Sequence, residues 1–204
     1  MKKHKITIIA VYFALFVLVS GCGIFSIHPL FHQKDLIVQT KLIGTWKEDS
    51  DSPVWIKIDT TSEKTYLFTV INKEDTLNFV MGLLQLQGQY FIDLFPDGDC
   101  SLFSGGDCLA LENMVRNYIP AHTFMKFEMK DGEIYLTEFD NERLIKLFQE
   151  NRIRLAHEIP GNKDDDDDYV VITASTDDLQ KFITRYANDK EAFSETVKYT
   201  KVKS

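Results

Sequence analysis

A chain of 204 residues, 44% hydrophobic and 26% charged, has the ordinary make-up of one globular domain that buries about 70% of its unfolded surface. Lys and Arg number 23 against 31 Asp and Glu, a net charge of −8. That balance is repelled by phosphate backbones, and no basic stripe with interleaved aromatics offsets it, so nucleic acid is excluded as a partner and lying flat on anionic head groups is disfavoured.

The first predicted element is a leader. Lys2, Lys3 and Lys5 precede an apolar run from Ile6 to Val19. At 1.5 Å per residue the run spans roughly 21 Å, short of the ~30 Å hydrocarbon layer but the length of a secretory signal. It closes on Val19-Ser20-Gly21-Cys22, which resembles the lipobox of bacterial lipoproteins. An uncleaved membrane anchor and an ordinary secreted protein cut at Ser20 or Gly21 are the alternatives. The resemblance implies that residues 1–21 are removed and that Cys22 carries a thioether diacylglycerol, usually with an amide-linked third chain. Two or more acyl chains hold a protein stably, each buried CH₂ contributing about 0.8 kcal/mol. Three lysines and no acid leave with the leader, taking the net charge from −8 to −11. Gly23 is not the aspartate of an inner-membrane retention signal, and residues 23–27 lack an acidic export cluster. The implied address is the bacterial cell envelope, lipid-anchored in the outer membrane and facing the periplasm.

Residues 22–40 read as an anchor and lead-in segment, and 41–204 as a single β-rich domain. His28 and His32 are four apart, but Pro29 disfavours helix at His28, so packing near the anchor is preferred to a metal site. Strands are predicted at Leu42–Lys47, Val54–Asp59, Tyr66–Ile71, Phe79–Leu86 and Tyr90–Phe95, with a tight turn at Gln87-Gly88-Gln89. Cys100 and Cys108 form a candidate disulfide across a glycine-containing stretch, worth about 2.6 kcal/mol in the chain-entropy model; two reduced thiols are the alternative. Asp97, Asp99 and Asp107 are weak calcium candidates, lacking the EF-hand register, so solvated acidic loops are the plainer reading there and for Asp164–Asp168. A hairpin runs from His122 to Phe139 about Asp131-Gly132, setting Lys130 opposite Glu133. Helices are predicted over 141–152, after an Asp140 cap, and 176–188, after Ser175. Further strands are placed at Ile153–Ile159 and Tyr169–Ser175, and Thr196–Lys203 is a final edge strand or a frayed tail.

Gly44-Thr45-Trp46 resembles the G-x-W motif of lipocalins, whose plan of many antiparallel strands, a late helix and a closing strand this layout fits, and the layout resembles uncharacterised bacterial lipoproteins of lipocalin-like type. The fold class is therefore mainly β, an antiparallel lipocalin-like barrel or strongly curved sheet of about 8–9 strands with two helices. Gly44 and Trp46 are the fold-motif residues, and the resemblance implies that Trp46 packs across a closed barrel end. The family's T-D-Y pattern is absent, and no arginine can be placed over Trp46. G-x-S-x-G, H-E-x-x-H, C-x-x-C and phosphate-cradling loops are all absent, so no catalytic residue, resident metal or cofactor is assigned. His122 and His157 read as strand histidines. Trp46, Trp55, Tyr66, Phe68, Phe79, Tyr90, Phe91 and Phe95 lie on predicted strands and are candidates to line a cavity for a small apolar ligand, or simply to fill the barrel. The expected function is non-enzymatic binding of such a ligand. A protein–protein or structural envelope module without a ligand is the alternative, and an enzyme whose site is assembled from distant residues is the third.

Overall fold

Alternation of apolar and polar residues along one strand after another builds a closed wall. The computed structural model describes residues 24–48, 52–61, 64–72, 75–97, 120–159 and 169–202. The leader, Cys22, Asp99, Cys100, Asp107, Cys108 and Asp164–Asp168 lie outside those residues. In chain order the strands are β1 (Ile24–Ser26), β2 (Gly44–Glu48), β3 (Val54–Thr60), β4 (Tyr66–Asn72), β5 (Asp75–Leu86), β6 (Gln89–Pro96), β7 (Thr123–Lys130), β8 (Glu133–Phe139), β9 (His157–Glu158), β10 (Val170–Ile172) and β11 (Phe193–Lys201). Helix α1 (Asn141–Gln149) follows β8, and α2 (Thr176–Tyr186) follows β10. Strands β2 to β8 form an up-and-down meander, and β11 lies between β8 and β2, antiparallel to both. The result is the expected antiparallel barrel, closed, with eight strands and two helices.

Several boundaries differ from the sequence reading, each for a local reason. The 3-10 turn Thr40–Leu42 delays β2 to Gly44. β5 starts at Asp75 because Thr76, Leu77 and Asn78 pair with Ile71, Val70 and Thr69. Only His157–Glu158 and Val170–Ile172 of the predicted later strands form ladders, and these make a separate small sheet in the order β1-β10-β9. The C-terminal segment is neither an edge strand nor a frayed tail: β11 is bonded on both sides and closes the barrel. The helices are shorter than predicted, α1 ending before a turn in which Asn151 has φ +55°. Both caps form as read: Asp140 accepts from Arg143 N–H at 3.0 Å, and Ser175 accepts from Asp178 N–H at 3.3 Å. The hairpin turns at Gln87-Gly88 and Asp131-Gly132 have positive φ at both positions, as two-residue primed turns require.

Strand parity sorts the apolar residues into two cores. Trp46, Ile56, Ile58, Tyr66, Phe68, Val70, Met81, Leu83, Ile92, Leu94, Met125, Phe127, Ile134 and Leu136 face inward and pack as one cluster in the lumen. Leu84, Phe91, Phe124 and Phe139, of the opposite parity on the same strands, face outward and carry α1 and α2, through Leu144, Ile145, Phe148, Leu179, Phe182 and Ile183. The lead-in segment is bound to this outer wall. Ile24–Ser26 pairs with β10, Leu30 is fully buried, and Leu36 bridges to Leu84. Gly82 makes room for it, since a Cβ there would stand 2.6 Å from the Phe31 ring.

Candidate functional site

The barrel end where β5 turns into β6 and β7 into β8 is stopped by residues 36–43. Ile37 N–H donates to Leu83 O at 2.8 Å, Gln39 N–H to the Tyr66 hydroxyl at 2.6 Å, and Trp46 Nε1 to Leu42 O at 2.9 Å. Burial pushes the Tyr66 hydroxyl above its ordinary pKa, against the opposing pull of the Gln39 N–H. Beside this stopper a half-open cleft of about 850 Å³ enters the end of the lumen. Trp46, Tyr90, Phe127 and Met129 give it apolar inner-wall surface; Gln39, Lys41 and Lys201 form one flank, and the turns at Gly88 and Asp131–Gly132 form the rim.

Lys201 is the residue that the sequence reading missed. Its ammonium lies 5.0 Å from the centre of the Trp46 ring and donates to Lys41 O at 2.9 Å. It covers the indole because β11 registers Lys201 directly opposite Trp46. The φ of Gly44, +138°, is one that side-chain-bearing residues rarely adopt, and the Lys201 stem passes where a Cβ would stand. The signal was present: Val197, Tyr199 and Lys201 share one parity, which matters only once that segment is known to be a barrel strand.

The aromatic set divides by the same parity. Trp46, Tyr66, Phe68, Phe79 and Tyr90 belong to the lumen. Phe91 faces the helices, Phe95 stacks on His122 at 4.5 Å, and Trp55 lies under Lys47, so these three cannot line an interior ligand site. Farther along the lumen the inner wall becomes acidic. Burial raises the pKa of Glu138, and burial together with Glu48 and Glu138 raises that of Tyr199 well above the usual phenol range. Asn72 is 7% exposed, and its Oδ1 accepts no hydrogen bond among the described residues.

Outside the barrel, Asp93 accepts from Leu30 N–H at 2.6 Å and from His122 Nδ1 at 2.7 Å. His122 thus clamps the lead-in segment rather than lining a cleft. His32 pairs with Asp177 at 2.8 Å on the surface, and His157 Nδ1 contacts Leu155 O at 2.7 Å. Asp97 N–H donates to Asn78 O, and among the described residues no three of His, Cys, Asp and Glu gather to hold a metal. Compared with known proteins, the chain matches no family model, no curated protein and no solved structure.

Proposed function

We propose that this chain is a lipid-anchored lipoprotein of the bacterial envelope, of lipocalin-like type, that binds a small apolar ligand without transforming it. The outer membrane, facing the periplasm, is the proposed address. The observation that carries the binding reading is the cleft: an opening of about 850 Å³ lined in part by Trp46, Tyr90, Phe127 and Met129. That size lies within the range of small-molecule sites, although Gln39, Lys41, Gln89, Lys126, Glu128, Asp131 and Lys201 make the lining more polar than such sites usually are. The test is titration with N-phenyl-1-naphthylamine. The expected result is saturable probe fluorescence with concurrent change in Trp46 emission. Met129→Glu should weaken binding by at least about tenfold, the 1.4 kcal/mol that one buried apolar contact replaced by a carboxylate readily exceeds. Absence of saturable binding, or equal binding by the variant, overturns the reading.

The packed lumen favours a second reading, a module that binds an envelope protein. The contiguous inner cluster leaves the cleft at one end instead of a deep cup. Absence of probe binding, together with one crosslinked envelope partner in intact cells, would select it.

A further inference from the structure

The cleft carries its charges unevenly. Glu128 opposes Tyr135 on the outward parity of β7 and β8, and Asp131 sits in the exposed turn beyond it. Lys126 shares that outward parity. Its ammonium donates to Ala187 O at 3.3 Å and lies 5.1 Å from the centre of the Phe193 ring. Lys201 differs, because it opposes Trp46, whose ring belongs to the lumen, and so takes the inward parity. Lys41 comes from the stopper, in the 3-10 turn Thr40–Leu42, and lines the same flank. The inner side of the cleft is therefore positive, in a chain whose net charge is −8. We propose that the cleft takes an amphiphile with one oxyanion head, a carboxylate or a phosphate, held by Lys201 and Lys41, with its apolar chain against Tyr90, Phe127 and Met129. This rests on the cleft-binding reading above and adds the head group to it.

Lys201 is a cation held in place from three sides. Its stem runs past Gly44, where a Cβ would stand 2.7 Å from Cε. Its ammonium lies 5.0 Å from the centre of the Trp46 ring and donates to Lys41 O at 2.9 Å. Ordering a lysine side chain costs rotamer freedom, and a stem fixed before the ligand arrives lowers that cost of binding. An ammonium has three N–H donors, and Lys41 O takes one of them. Neither Lys201 nor Lys41 forms an ion pair with a carboxylate among the described residues, and both are exposed, so a ligand can reach them. A charge-assisted hydrogen bond from an ammonium to an oxyanion is about twice as strong as a neutral one. An uncharged alcohol would gain the apolar wall without that bond, and an amine would meet like charge. A lysine that serves only to cover the indole would confer stability but no selectivity among head groups, and that difference is what a measurement can read.

The experiment displaces N-phenyl-1-naphthylamine from the full chain with dodecanoate, dodecyl phosphate, dodecanol or dodecylammonium. At least one of the anions should displace the probe at a concentration roughly tenfold below that of dodecanol, with dodecylammonium the weakest. The stronger anion assigns the head as carboxylate or phosphate. Lys201→Met keeps an apolar stem and removes the charge, so the anions should fall to the level of dodecanol while dodecanol itself is unchanged. Lys41→Met, at an exposed position, should weaken the anions in the same direction, and Lys201→Arg should retain the preference. Equal displacement by dodecanol and both anions, or tighter binding of dodecylammonium, overturns the proposal and leaves binding in the cleft intact. A preference for anions that survives replacement of both lysines overturns its assignment to them. Absence of probe binding, or displacement by none of the compounds, overturns the cleft-binding reading and the proposal with it.

Discussion

Asp93 is the one charged side chain among the described residues that is essentially sealed from water, at 1% exposure. A buried carboxylate is costly unless its oxygens are satisfied, and here Leu30 N–H and His122 Nδ1 each supply a bond. Asp93→Ala leaves both donors buried and unmatched, so it should lower stability by about 3 kcal/mol or more in a denaturant titration, with new protease sensitivity in residues 24–36. Asp93→Asn keeps an acceptor for one donor and should cost less. Glu138 obeys the opposite logic. Burial in the lumen raises its pKa, so the folded state holds the proton more tightly than the unfolded chain does. Between the ordinary carboxylate value and the raised one, unfolding releases protons, and stability falls as pH rises. Glu138→Gln should therefore raise the melting temperature at pH 7, with the gain shrinking below the usual glutamate pKa. A gain that is independent of pH would mean that desolvation of the carboxylate is not the cause.

The elements show where local chemistry suffices and where it does not. Both helices, their capping residues Asp140 and Ser175, and the Asp131-Gly132 turn follow from patterns contained within a dozen residues. Whether a strand is an edge or a closure depends on partners far away, and β11 illustrates it: Phe193–Lys201 is bonded to β8 and β2, whose sequences lie some sixty and a hundred and fifty residues earlier. For the same reason the Trp46–Lys201 contact was illegible, while the strand that carries Gly44 and Trp46 was readable. The opposed Lys130 and Glu133 were readable too, but the Glu133 carboxylate is also drawn to Lys198 of β11, 3.4 Å away, and to the Tyr135 hydroxyl. Expression stopped after Ala192 should leave β2 and β8 with bare edges and give an aggregating product without a cooperative melt. Lys201→Ala keeps the ladder and removes only the cation over the indole, a loss of about 1 kcal/mol with a shift in Trp46 emission. If the truncated chain melted cooperatively as a monomer, closure by β11 would not be what holds the barrel together.

At the scale of the whole molecule, two cores share one wall. Leu83 and Leu84, Ile92 and Phe91, Met125 and Phe124 are chain neighbours that face opposite sides of the same strands, lumen on one side and helices on the other. Losing the helices would bare the outer face of β5–β8, and those strands cannot loosen without disturbing the lumen. The two cores should accordingly unfold as one. Phe148 offers the means to test this, because it is buried in the helical core, 4.6 Å from the His157 ring and 6.0 Å from Phe182, remote in the packing scheme from Trp46. Phe148→Ala should cost about 3–5 kcal/mol, which for a chain of this size lowers the melting temperature by on the order of 10 °C. Trp46 emission reports the lumen, and far-UV dichroism at the helix minimum weights α1 and α2. Coincident midpoints, displaced together in the variant, are the outcome that a shared wall requires. A dichroism transition that moves down while Trp46 emission stays in place would show the helices peeling from an intact barrel, and the lumen would then be the independent unit.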